Sequence, residues 1–127
     1  MGWLDDPTLS RFAVMYIDLD RFKVVNDVAG HGAGDELLVS AARRIARAVG
    51  DEGLIARFGG DEFLVVCGIG DDSSRPERIA AAIMDAFADS FRFDHEEFAI
   101  TASIGVACAP ADGDTVQGLI QNADTAM

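Results

Sequence analysis

The chain has 127 residues, half of them hydrophobic and a quarter charged. That composition supports one compact domain with a real core and argues against disorder. A net charge of −12 argues against non-specific nucleic-acid binding, which needs clustered Lys and Arg, although an acidic protein still binds a nucleotide when metal ions screen the phosphates. No apolar run approaches the ~20 residues of a membrane span. Met1-Gly2-Trp3-Leu4-Asp5-Asp6 lacks the basic start and apolar stretch of a signal peptide. A cytoplasmic domain without membrane contact of its own is expected, any tethering belonging to a parent protein. Cys67 and Cys108 lie in apolar runs without metal-ligand spacing and read as buried free thiols.

Phe12 to Ile17 is continuously apolar and ends in Asp18-Leu19-Asp20, the pattern of a central strand buried on both faces. A short helix follows from Phe22 to about Val28. Gly30-His31-Gly32-Ala33-Gly34 reads as a glycine-rich loop, His31 as a structural residue within it, and Asp35 as the N-cap of the next helix. Leu37, Leu38, Ala41, Ala42, Ile45 and Val49 recur at helical spacing opposite Arg43, Arg44 and Arg47, and Gly50 is the expected stop. Two apolar runs, Leu54-Ile55-Ala56 and Phe63 to Cys67, flank Gly59-Gly60 as a hairpin. Ser74 and Glu77 match a capping box with Pro76 in the first turn, and Ile79, Ile83 and Phe87 form the buried stripe of a second long helix. Phe91-Phe93 is a short strand turning at Asp94-His95-Glu96. Phe98 to Cys108 alternates as one long strand, and a last helix starts near Thr115. The order predicts an α+β fold with a mostly antiparallel central sheet and packed helices, ferredoxin-like or palm-type.

In that topology the end of the first strand and the tip of the hairpin share an edge, so Asp18 approaches Asp61 and Glu62. Mg²⁺ takes hard oxygen ligands, usually one or two carboxylates together with substrate phosphates. Asp18 and Asp61 meet that requirement, whereas solvated turn aspartates are the bland alternative. At the turn, glycine is expected to supply positive φ and to admit a ligand close to the backbone.

The run Gly59-Gly60-Asp61-Glu62-Phe63 resembles the signature of the GGDEF family, the diguanylate cyclases. Met15 to Asp27 resembles the family's Asp-x-Asp-x-Phe-Lys-x-x-Asn segment, Gly30 to Asp35 its Gly-His-x-x-Gly-Asp loop, Thr101 to Val106 its Ser-Ile-Gly-Val strand, and Asn122 to Met127 its Ala-Asp-x-Ala-Met helix. The resemblance covers about residues 12 to 127, and residues 1–127 are read as a single GGDEF domain with the nucleotidyl cyclase palm. It implies condensation of two GTP into cyclic di-GMP with release of two pyrophosphates, in a symmetric homodimer dependent on Mg²⁺ or Mn²⁺. It further implies that Asp18, Asp61 and the Leu19 carbonyl hold metal, and that Glu62 stands beside the reacting hydroxyl, where we read it as a general base. Phe22 and Lys23 would hold the triphosphate, Asn26 and Asp35 would read guanine, and Gly59 and Gly60 would border the substrate.

Departures from the family pattern set further expectations. The Arg-x-x-Asp product-inhibition site is replaced by Gly50-Asp51-Glu52-Gly53, so no feedback inhibition is expected there. The amino-terminal Asp-x-Leu-Thr-Gly-Leu-x-Asn-Arg signature is absent, and the terminal segment with its phosphate-gripping Lys and Arg would begin just after Met127. The chain therefore reads as a fragment of a longer signalling protein with a fused sensor or EAL domain, weakly active or inactive alone. The alternatives are a catalytically silent GTP-binding domain that regulates an attached EAL phosphodiesterase, and a pure dimerisation module. Arg57 is left open between phosphate and a neighbouring carboxylate.

Overall fold

The computed structural model describes residues 11–69, 73–93 and 96–109, together with 118 and 121. Among the described residues the main elements follow the order β1 (Phe12–Leu19), α1 (Phe22–Ala29), α2 (His31–Val49), β2 (Gly53–Arg57), β3 (Glu62–Gly68), α3 (Arg75–Ala86), β4 (Phe91–Phe93), β5 (Glu96–Phe98) and β6 (Ala102–Ala109). The main sheet has the order β2-β3-β1-β6 with every pairing antiparallel, and β4 and β5 form a separate hairpin. Of the last helix expected from Thr115, Gly118 and Gln121 are helical; the rest lies outside the described residues. Among the described residues no helix is long and apolar enough to cross a membrane.

β1 is central and buried on both faces, as its unbroken apolar run requires. Side chains alternate along it. Ala13, Met15, Ile17 and Leu19 face a core built with Val25 of α1, Leu37, Ala41 and Ile45 of α2, and Ile79 and Ile83 of α3. Phe12, Val14 and Tyr16 face the other way and cluster with Ala107 and Ala109 of β6. Asp18 continues this second series at the strand's open end.

Five local expectations are corrected. Gly30-His31-Gly32-Ala33-Gly34 is not a loop: Gly30, at φ 90°, is the only break, and α2 starts at His31. Asp35 is therefore an exposed residue inside α2, not its cap. Of these glycines Gly34 serves helix packing, since a Cβ there would lie 1.7 Å from Oδ1 of Asn26 on α1, whereas one on Gly32 would meet nothing within 4 Å. Ser74 occupies the N-cap of α3 but makes no side-chain capping bond. The long strand from Phe98 is two strands, because the chain leaves the β4–β5 hairpin and crosses Ile100, buried between them, before joining β1. Finally, Gly59 and Gly60 lack positive φ, which glycine adopts only at Gly30 and Gly50 among the described residues.

Candidate active site

The antiparallel register of β1 and β3 sets Glu62 directly opposite Asp18. The Leu19 amide donates to the Asp61 carbonyl at 3.1 Å, which closes the strand end onto the hairpin tip. Two segments more than forty residues apart thus deliver three carboxylates to one place. The electrostatic consequence falls on Asp18. Burial, then repulsion by Asp61, Glu62 and Asp20, raises its carboxyl from 3.8 to about 6. A half-buried acid crowded by like charge is relieved by a cation. Among the described residues no set of three or more His, Cys, Asp or Glu makes a complete metal cage. A pair of carboxylates fits Mg²⁺, which keeps waters and phosphates in its shell.

Asp20 is committed elsewhere. Its carboxylate accepts from the Thr101 hydroxyl at 2.6 Å and the Ser103 hydroxyl at 2.8 Å, and its amide donates to the Thr101 carbonyl at 2.9 Å. These bonds pin the chain after β1 to β6. Arg21 then takes φ 66°, a left-handed conformation that costs a non-glycine residue about 1–2 kcal/mol and turns the chain into α1. The first helical bonds run from Val24 and Val25 to the Arg21 carbonyl. The amides of Phe22 and Lys23 come before them, where a helix leaves donors for an anion. Phe22 is half-buried, while Lys23 is exposed.

Asn26, half-buried on α1, lies against Gly34 and hence beside the residue preceding Asp35. Asp35 stands at one end of an apolar groove of about 520 Å³ between α2 and the β2–β3 hairpin, lined by Leu38, Val39, Ala42, Ile55 and Phe63. The structure therefore groups the predicted residues into a carboxylate end and an Asn26–Asp35 end, with the start of α1 following Asp20 in the chain.

At the hairpin tip the two glycines differ. A Cβ on Gly59 would lie 2.1 Å from Glu62 Oε1, whereas one on Gly60 would meet nothing within 4 Å. Gly60 borders open space, and Gly59 makes room for a side chain of the protein itself. The Arg57 guanidinium donates to the carbonyls of Gly59 at 3.2 Å and Gly60 at 2.9 Å and braces the turn. Sequence reasoning missed Tyr16, whose hydroxyl donates to Glu62 Oε2. It also missed the parts played by Thr101, Ser103 and Gly34. The signal for Tyr16 was a lone hydroxyl in an apolar strand, two residues before Asp18.

The family model described as "Diguanylate cyclase, GGDEF domain" matches residues 4–127. The chain is 41% identical over 117 residues to the bifunctional diguanylate cyclase/cyclic di-GMP phosphodiesterase MucR of Pseudomonas aeruginosa, covering 92% of this chain and 17% of MucR. It is 36% identical over 115 residues to the cyclic di-GMP phosphodiesterase NbdA of the same species, covering 91% of this chain and 15% of NbdA. It spans less than a fifth of either relative's length. The crystal structure of the GGDEF domain of TpbB from Pseudomonas aeruginosa superposes with a TM-score of 0.88 at 36% identity, over 96% of this chain and 76% of that one. Its palm-type α+β fold, its Gly-Gly-Asp-Glu-Phe hairpin and these relatives agree that the chain belongs to the GGDEF domain family of diguanylate cyclases.

Proposed function

We propose that this domain condenses two GTP molecules into cyclic di-GMP and releases two pyrophosphates. The convergence of Asp18 with Asp61 and Glu62 carries the reading. Asp18, Asp61 and the Leu19 carbonyl would hold a Mg²⁺ or Mn²⁺ ion. Such an ion, when bound, neutralises phosphate charge and polarises the reacting phosphoryl group. The amides at Phe22 and Lys23, with the Lys23 ammonium, would cradle the triphosphate, and Gly60 would leave it room. Asn26 offers both a donor and an acceptor, and the Asp35 carboxylate accepts from guanine N1–H and N2–H₂ together. Glu62 would take the proton of the 3′-hydroxyl as that oxygen bonds to the α-phosphorus and the bond to pyrophosphate breaks. One domain holds one GTP, so each hydroxyl must attack the nucleotide of a second copy related by a two-fold axis. Alignment of the two substrates would supply much of the rate. A GTP substrate would fit a cytoplasmic domain, and MucR, whose name pairs both activities, supports a parent with a fused EAL or sensor domain.

Incubating the full-length parent with GTP and Mg²⁺, and following both nucleotide binding and product by chromatography, tests this. Cyclic di-GMP that disappears with EDTA is expected. NbdA, a phosphodiesterase by name, favours a second reading in which the domain binds GTP and regulates an attached output domain. Binding without product would replace the first reading with the second, and the absence of both would leave a dimerisation module.

A further inference from the structure

We propose that Tyr16 is a positioning residue for Glu62, fixing one carboxylate oxygen so that the other is presented to the reacting hydroxyl. The role rests on the reading of Glu62 as the acidic group beside that hydroxyl. Alternation along β1 places Tyr16 and Asp18 on one face. The register pairs Tyr16 with Leu64 and Asp18 with Glu62, so the Glu62 side chain reaches back by one cross-strand pair to meet the tyrosine. The Tyr16 hydroxyl donates to Glu62 Oε2.

Three observations show what holds this contact. The Tyr16 ring is only 6% exposed and belongs to the cluster of Phe12, Val14, Ala107 and Ala109, so it cannot follow a wandering carboxylate. Phe58 stands edge-on to it, with centroids 5.8 Å apart at 71°. The Glu62 carbonyl accepts from the amides of Phe58 at 2.9 Å and Gly59 at 3.3 Å, which fixes the backbone beneath the side chain. On the opposite side, Oε1 faces Gly59, where a Cβ would stand 2.1 Å away, and the space beyond Gly60 is open. Oε2 is therefore occupied by Tyr16, and Oε1 is the oxygen left for a substrate. An unheld glutamate samples several rotamers, most of which point its oxygens away from the reaction. Gly59 and Tyr16 form the two walls of one slot, which explains the first glycine of the pair by an internal contact.

The test uses the full-length parent with GTP and Mg²⁺. Tyr16→Phe keeps the ring and removes only the hydroxyl. It is expected to lower kcat about tenfold with KM for GTP within about twofold, since the hydroxyl orients a reacting group and does not bind nucleotide. Gly59→Ala should give the same signature from the opposite wall. In a Glu62→Gln background, Tyr16→Phe should cause no further loss, because the group it orients is already disabled. Unchanged kcat in Tyr16→Phe, a loss expressed mainly in KM, or an equal loss with and without Glu62 would overturn the positioning role while leaving the cyclase reading intact. Failure of the wild-type parent to make product would overturn both.

Discussion

Replacing Asp18 by Asn tests the electrostatics of the carboxylate cluster apart from any turnover. In the folded domain the Asp18 carboxyl ionises only near pH 6, against 3.8 for an ordinary aspartate, because burial and the charges of Asp61, Glu62 and Asp20 oppose its ionisation. The folded chain therefore holds a proton that the unfolded chain releases, and stability falls as pH rises from about 4 to about 6, the loss being complete above that range. The gap between 3.8 and about 6 corresponds to about 3 kcal/mol at full strength. Solvent reaches the half-buried carboxyl and screens it, which brings the effect to about 1–2 kcal/mol. Asn resembles the protonated acid in shape and can donate to Asp61 as the acid does. In urea denaturation with EDTA, Asp18→Asn should be more stable than wild type by about 1–2 kcal/mol at pH 7, with most of that gain gone at about pH 4. Added MgCl₂ should then stabilise wild type and not the variant. A variant that is less stable than wild type at pH 7 in EDTA, or a gain that is the same at both pH values, would refute the argument.

Asp61→Ala should abolish cyclic di-GMP formation by the parent protein while GTP binding persists, read by chromatography and by calorimetry. Gly34→Ala places a Cβ 1.7 Å from Asn26 Oδ1 and should displace that side chain, raising KM for GTP about tenfold or more, with a smaller change in kcat. Arg44→Ala removes guanidinium bonds to the carbonyls of Ala86, Asp89 and Ser90 and the stacking on Phe91 at 3.6 Å, so it should destabilise the fold by about 2–3 kcal/mol in chemical denaturation without altering the site. Cyclic di-GMP added during turnover should cause no non-competitive inhibition at the Gly50–Gly53 window, where Glu52 already pairs with Arg75 at 3.2 Å and Arg78 at 3.3 Å; strong inhibition abolished by mutating Arg75 or Arg78 would refute this.

Much of this architecture was legible because its signals are local. The double-faced burial of β1 follows from six consecutive apolar residues, and the hairpin from two runs around a glycine pair. The meeting of Asp18 with Glu62 was legible at one remove, since an antiparallel topology forces a strand end and a hairpin tip to one edge. What failed was the reading of glycine. A glycine is silent about whether it bends the backbone or admits a neighbour, because both follow from the missing Cβ. Gly32 and Gly34 looked like loop residues and lie inside α2, Gly34 chosen for the approach of Asn26. The hairpin pair looked like a positive-φ turn, and at least Gly59 is there for Glu62. In both places the deciding partner lies in another part of the fold or at the end of a flexible side chain, where no spacing rule reaches.

The same logic separates the residues proposed to carry chemistry from those that hold the surrounding chain. Asp18, Asp61 and Glu62 announce themselves as acids at a polar tip. Their holders do not: Thr101, just before β6, and Ser103, on it, fix Asp20, Arg57 braces the turn through two carbonyls, and Tyr16 sits in an apolar strand. Arg57 acts within its own turn, but the others act by hydrogen bonds whose geometry depends on register, and register becomes visible only when the sheet order is known. A chain could keep its five-residue signature and still lose the site by altering these four residue types. The Tyr16–Glu62 contact is thus a sharper marker of a competent hairpin than the signature alone, because it requires β1 and β3 to be in the one register that also brings Asp18 opposite Glu62.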